Sequence, residues 1–489
     1  MVARVAPSQP GLYSFHLPVV RVQIYSQVPG IPCRTARPLR SSRMKAVVFI
    51  VTFFSYALYH SSRKTLSGVK ASVTTDWLDN STHAPFFIDG VEARTFLGTL
   101  DAVFMISYAA GLFFWGWLGE RLNPKHVIAA GMVGSGFTLI LFGAVPKWCN
   151  FYHAAYYLFT YVLFGLLQAC GWPSEIAIMA NWFGKANRGF IMGLWASCQP
   201  IGNVFGSFFT AWVLPLGYQN TFFINGLLML VGALVVMIAI DPKPRGDQYS
   251  EVHDPTRERS HSEEGQPISF VKAILLPGVF AYCLCNACLK LVNYAFFFWL
   301  PLYLTEAYHW EEAKADQLSI WYDVGGIIGS VGGGYISDKM RCRAPLIVAM
   351  LTGSLFSLFV YARIGPELIW NVLVMTVVGI TVSGPYNLIV GTISIDLGSQ
   401  PILASNAQAM STVSGLLDGT GSAGSAVGQL FIPMLQVSLG WESVFYLFIL
   451  LNALAILCIL RRCVKDLRML LATTPELAPL LGDHGSHED

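Results

Sequence analysis

Charge is what this sequence has least of. Only 12% of its 489 residues are Asp, Glu, Lys or Arg, while 54% are hydrophobic. Soluble domains carry about 25% charged residues, so the composition reads as a polytopic membrane protein. A net charge of +2 is too small for the basic footprint of nucleic-acid binding. No phosphate-cradling Gly-x4-Gly-Lys-Ser/Thr loop occurs, which excludes that route to ATP hydrolysis. Metal ligands are equally thin. Cys283-x-Cys285-x-x-Cys288 is the densest grouping of the ten cysteines, but it sits in an apolar run with no His or carboxylate beside it. Neither a metal site nor a disulfide framework is expected.

Acid is missing altogether from residues 1–45, which hold Arg4, Arg21, Arg34, Arg37, Arg40, Arg43 and Lys45. That bias suits an organelle presequence or a cytosolic arm. Scattered prolines make a presequence helix poor, so a disordered arm is preferred. The first long apolar run begins only at Ala46, so no cleavable signal peptide is expected.

What the chain does have is apolar runs of spanning length, near 46–66, 95–118, 126–145, 152–180, 189–213 and 219–240. Six more follow near 273–304, 316–336, 345–363, 368–395, 403–436 and 441–460. Between the sets, Asp241–Pro267 is rich in Pro, Ser, Glu and Arg without hydrophobic period, and reads as a linker. The expected organisation is an all-α membrane protein of twelve transmembrane helices. It comprises a basic arm (1–45), a six-helix half (46–240), a linker (241–267), a second half (268–462) and a tail (463–489). Arg121, Lys125, Lys185, Arg188, Lys339, Arg341, Arg343, Arg461, Arg462, Lys465 and Arg468 fall on one side if each run spans once. The positive-inside rule then puts both termini and the linker in the cytosol. The single sequon, Asn80-Ser81-Thr82, falls on the other side, where glycosylation at Asn80 would have to occur.

The first run closes on Tyr59-His60-Ser61-Ser62-Arg63-Lys64, and the helical pattern continues through Leu66 and Val69. Cations cost roughly 2.5–3.5 kcal/mol each at the bilayer centre on insertion scales. Arg63 and Lys64 therefore either snorkel at a helix end or face an anion, a carboxylate or a wet cavity. An internal echo adds to this. Gly116-Trp117-Leu118-Gly119-Glu120-Arg121 ends the second run and Gly334-Tyr335-Ile336-Ser337-Asp338-Lys339 ends the eighth. Both read Gly, three residues, acid, base, at matching places in two six-run halves. Two such halves resemble the architecture of the major facilitator superfamily, and Glu120, Arg121, Asp338 and Lys339 are expected to be helix-end clamps. The glycines from Gly325 to Gly334, and Gly415, Gly419, Gly424 and Gly428, read as helix-packing faces. The run Phe296-Phe297-Phe298-Trp299 reads as lipid-facing or bundle core.

Gly165-Leu166-Leu167-Gln168-Ala169-Cys170-Gly171-Trp172-Pro173, Asn181-Trp182-Phe183-Gly184-Lys185 and Arg188-Gly189 resemble the organophosphate:phosphate antiporters. So do Tyr59-x-x-x-Arg63-Lys64, Ser383-Gly384-Pro385, Asp396-Leu397-Gly398 and Asp418-Gly419-Thr420-Gly421-Ser422. Lys290-Leu291-Val292-Asn293-Tyr294, Trp299-Leu300-Pro301 and Trp321-Tyr322-Asp323-Val324-Gly325-Gly326 are similar to the eukaryotic sugar-phosphate exchanger branch. The likeness runs from about Val47 to Arg462. It implies exchange of a phosphorylated metabolite for inorganic phosphate by rocking of two halves, with no cofactor and no covalent chemistry. Arg63 would bind the phosphoryl group, for which a planar guanidinium fork is suited. Tyr59 and Gln168 stand in the same motifs. Lys64 would point to another face and could pair with Asp323 as a latch between halves.

Two positions depart from the bacterial pattern. Asn293 stands where a seventh-helix arginine is found, with Lys290 one turn earlier to supply charge. Gln199 stands where a fifth-helix histidine is found, and it cannot take up a proton. These departures leave two other readings open, a proton-coupled anion carrier with Asp101 or Asp323 titrating, and a transport-inactive scaffold or subunit of a complex. Membrane lipid and an accessory membrane subunit are the further partners considered. In the tail, Glu476-x-x-x-Leu480-Leu481 resembles an acidic dileucine sorting signal, and an endomembrane location, endoplasmic reticulum or lysosome, is expected.

Overall fold

The computed structural model describes residues 36–80, 85–119, 122–183, 188–244, 270–340, 342–398, 400 and 408–473, and every regular element among them is helical. Among the described residues, those from Arg43 onward pack as one unit. By position in the sequence, the first half of the chain holds α1 (Ala36–Gly68), α2 (Lys70–Leu78), α3 (Gly90–Gly119), α4 (Pro124–Gly143), α5 (Val145–Cys149), α6 (Ala154–Gln168), α7 (Gly171–Trp182), α8 (Arg188–Ala196), α9 (Cys198–Val213) and α10 (Tyr218–Ala239). The second consists of α11 (Phe270–Ile274), α12 (Val279–Tyr308), α13 (Glu312–Met340), α14 (Ala344–Tyr361), α15 (Leu368–Val378), α16 (Gly384–Leu388), α17 (Ser394–Gly398), α18 (Gln408–Leu439) and α19 (Trp441–Thr473). Helix α1 begins inside the stretch read as a disordered arm. Pro38 falls in its first turn, where a missing N–H removes no intrahelical bond.

Local chemistry sets the ends. Asp89 Oδ1 accepts from Val91 N and Glu92 N (2.8 and 2.9 Å) at the start of α3. The Asn123 side chain accepts from Lys125 N (3.1 Å), with Pro124 opening α4. Gly440, at φ 80°, makes the single-residue turn between α18 and α19 that a side chain would strain.

Nine helical stretches among the described residues are long and apolar enough to cross a membrane: 43–68, 90–115, 124–149, 154–179, 218–239, 279–308, 344–361, 368–398 and 441–471. They coincide with nine of the expected runs. The other three runs fall on α8–α9, α13 and α18, whose composition is less apolar. These are the helices that pack between the halves, α9 on α13 and α18 on α3. Polar residues on them face protein rather than lipid, which lowers their apolar content without exposing charge to the bilayer.

Three apolar cores organise the packing, two of them confined to one side of the linker and one spanning it. One apolar core, with Tyr59, Met132, Trp182 and Trp195, lies wholly in the first half. Another, with Tyr282, Leu289, Leu351 and Ile459, lies wholly in the second. A third joins them through Trp77, Phe104, Phe298, Trp299 and Leu302. The aromatic run 296–299 is therefore core, not lipid-facing. Gly202 and Gly206 let α9 lie on α1: a Cβ on Gly202 would strike the Ala57 carbonyl, and one on Gly206 would come 2.9 Å from Ser61 Cα. On α13, Gly325 and Gly329 face the π-helical turn 379–383 that separates α15 from α16. A second π-helical turn follows at 389–393. Such wide turns rotate the residues after them and recur at functional sites.

Candidate substrate site

Pro301 lies inside α12 and has no N–H, so the carbonyl four residues earlier, on Phe297, has no helical partner. Two donors from the first half claim it. Lys64 Nζ reaches Phe297 O at 2.8 Å and Ser67 Oγ at 2.6 Å. Lys64 also lies 4.9 Å from the centre of the Phe297 ring. Both charges at 63–64 are thus fully buried, and neither snorkels.

Arg63, one residue and about 100° away, is held by side chains of its own half and also meets Tyr294 of the other. Its Nε donates to Gln168 Oε1 (2.7 Å) and its Nη2 to the Gln168 carbonyl (3.4 Å). Gln168 is held in turn by Ser62 Oγ (3.0 Å). Nη1 lies 3.4 Å from His60 Nε2. His60 Nδ1 is 3.0 Å from Asn203 Oδ1, and Asn203 Nδ2 donates to Asp323 Oδ1 (2.8 Å). A hydrogen-bonded chain therefore runs from Arg63 through His60 and Asn203 to a carboxylate of the second half. It requires the His60 tautomer with the proton on Nδ1. Among the described residues no carboxylate pairs with Arg63, whose guanidinium instead lies 4.7 Å from the Tyr108 ring centre.

Lys290 approaches the same ring from the second half, at 5.9 Å. Its Nζ is bound to Asp418 Oδ1 (2.6 Å) and Ser422 Oγ (2.8 Å) on α18. Gly421 makes this possible: a Cβ there would sit 2.5 Å from Asn286 Nδ2 and 2.9 Å from Lys290 Cδ. Asn293, one turn on, donates to the Leu289 carbonyl (2.9 Å) and accepts from Tyr322 OH (2.7 Å).

Between the halves lies a cavity of about 40 Å³. It is lined by His60, Lys64, Gln199, Asn203, Asn293 and Asp323, together with Tyr294, Phe297, Ser383 and Asn387. That volume accommodates water but no phosphorylated sugar. Among the described residues no ion pair joins Lys64 to Asp323, although both line this cavity. Tyr59 points elsewhere: its hydroxyl donates to the Ile128 carbonyl (3.0 Å) in the first core.

The halves are tied together on the side of Asn80, which is exposed. Arg94 pairs with Glu306 (2.9 Å), and Glu306 also accepts from Gln436 and Trp441. Ser72 N donates to Glu312 (3.0 Å). Lys70 pairs with Asp101 at 2.5 Å and lies 3.6 Å from the Trp299 ring centre. Asp101 is thus committed to a lysine on α2. At the opposite end, Asp338 is bound by Arg343 Nη1 (3.1 Å), which also ties Asp396 through Nε. Lys339 lies over Tyr335. Glu120 and Arg121, the sequon residues Ser81 and Thr82, most of the linker and the dileucine stretch lie outside the described residues.

His60, Asn203, Tyr108 and Asp418 were not singled out from sequence as site residues. His60 and Asp418 stand inside motifs already quoted, but what joins them to Arg63 and Lys290 is contact between helices.

The sequence profile of the Major Facilitator Superfamily matches residues 52–416. Sugar phosphate exchanger 3 of Gallus gallus is 42% identical over 468 residues, covering 87% of this chain and 93% of its own. Putative glycerol-3-phosphate transporter 1 of Arabidopsis thaliana is 34% identical over 449 residues, covering 83% and 85%. The chain therefore belongs to the major facilitator superfamily, in the branch of the sugar phosphate exchangers. A bacterial homolog of the human lysosomal transporter Spinster shares the fold, with a TM-score of 0.61 at 15% identity over 87% of this chain and 95% of that one.

Proposed function

We propose that this chain carries organophosphate anions, a sugar phosphate or glycerol phosphate, across an endomembrane in exchange for inorganic phosphate. The observation that carries the reading is Arg63. It is a fully buried guanidinium at the seam of two halves, with amide, imidazole and aromatic neighbours but no carboxylate among the described residues. A buried cation without a counter-ion is costly, and an arriving phosphoryl group supplies the missing charge in a geometry suited to the fork. The names of the exchanger and transporter relatives support the substrate class.

Twelve spans in two six-helix halves, with cytosolic termini and linker, complete the reading. In this orientation the ties Arg94–Glu306 and Ser72–Glu312 close the side away from the cytosol, and rocking of the halves alternates access. Phosphate-loaded proteoliposomes test it. Counterflow of labelled phosphate against a sugar phosphate or glycerol phosphate is expected. Uptake driven only by a pH gradient supports proton coupling instead, and no uptake with either drive supports the scaffold reading.

A further inference from the structure

Lys290 has the residue type and place of a second phosphate-binding cation, yet its capacity is already used. Its Nζ donates to Asp418 Oδ1 at 2.6 Å and to Ser422 Oγ at 2.8 Å, and the ring centres of Tyr294 and Tyr108 lie 5.3 and 5.9 Å from it. Arg63, beside the same Tyr108, has no such carboxylate among the described residues. The asymmetry extends to exposure: the Lys290 side chain is 1% exposed, that of Asp418 18%. The lysine stem packs directly against Gly421, where a Cβ would sit 2.9 Å from its Cδ. The carboxylate is the less enclosed partner of the two.

We propose that Asp418 is an internal competitor for the transported phosphoryl group. It occupies Lys290 in the empty carrier and is displaced when the anion arrives. The inference rests on the proposed function. Its physical content is an exchange of one anion for another on the same ammonium. The empty carrier never holds an uncompensated buried lysine, and the anion gains only the difference between its own contacts and those of Asp418. Affinity is thereby held down and release is helped, because the leaving phosphate is replaced as it goes. Asp418 acts through Lys290 and is a specificity-determining residue of the exchange.

The test uses the full-length chain and inorganic phosphate. Asp418→Asn, which keeps shape and removes the charge, is expected to tighten phosphate binding on the order of tenfold. Counterflow KM and kcat should fall together. Lys290→Gln in that background should erase the gain, so the two substitutions are non-additive. Asp418→Glu should keep the parent's affinity. If Asp418→Asn folds, as judged by its thermal midpoint, and binds phosphate no more tightly than a phosphate-binding parent, this proposal alone falls. If the parent binds no phosphate, the proposed function falls and this inference with it. Should Asp418→Asn not fold, the neutral pair Lys290→Gln with Asp418→Asn decides. It should bind phosphate as Lys290→Gln does, and any further change in affinity overturns the competitor.

Discussion

Arg63 and Lys290 come from different halves of the chain and converge on one tyrosine, Arg63 Cζ at 4.7 Å and Lys290 Nζ at 5.9 Å from the centre of the Tyr108 ring. Only one of them is paired with a carboxylate. The first prediction follows from that difference. Arg63→Lys keeps the charge but loses the planar fork. The loss of a charge-assisted hydrogen bond, about 1.5–3 kcal/mol, corresponds to roughly ten- to a hundredfold in transport. Initial rates of counterflow, normalised to protein in the vesicle, measure it. Arg63→Ala exchanging phosphate as fast as the parent would remove the organophosphate reading.

Lys64 and Asp323 line one cavity without touching, the first bound to the Phe297 carbonyl and the second to Asn203. As a latch they would pair in another position of the halves. Each single charge reversal is expected to abolish counterflow, and Lys64→Asp with Asp323→Lys to restore part of it. A double reversal no better than the singles would show that the pair never forms.

Gly421→Ala places a methyl 2.5 Å from Asn286 Nδ2 and 2.9 Å from Lys290 Cδ. Overpacking of this kind costs about 1–3 kcal/mol. The thermal midpoint in detergent should drop, and phosphate affinity should change with it because Lys290 is displaced. Gly415→Ala, with open space around it, should alter neither.

Asn80 is exposed on the side where the halves are tied. Asn80→Gln should collapse a glycosylated band to one of faster mobility. A glycan on a sequon engineered into the linker (241–267) would instead reverse the proposed orientation.

The sequence was most legible where the bilayer writes its own rule, in apolar runs long enough to span. It was less legible where helices face protein. The runs on α8–α9, α13 and α18 are interrupted by Asn203, Asp323 and Asp418, and those interruptions fall in the proposed site. Arg63 stood out because a lone intramembrane guanidinium is expensive. Its neighbours did not, because the spacing that brings Asn203 to His60 is set by α9 resting on α1 at Gly202 and Gly206. No period within one helix encodes that contact. Asp101 looked equally free to titrate. Its partner Lys70 lies on α2, beyond the end of the run that framed the first span. One signal was present and unread: a proline inside a span identifies the carbonyl four residues before it as needing a partner from elsewhere.

That carbonyl has a consequence for hydration. Phe297 O is satisfied only while Lys64 and Ser67, from the other half, lie within 2.8 and 2.6 Å of it. When the halves part on the Asn80 side, those donors leave, and lipid offers none in exchange. The opening must therefore be wet to the depth of Phe297, with water molecules taking over from an ammonium and a hydroxyl. In such an opened conformation water would take part in the hydrogen bonding of α12, because Pro301 has no N–H to offer that carbonyl.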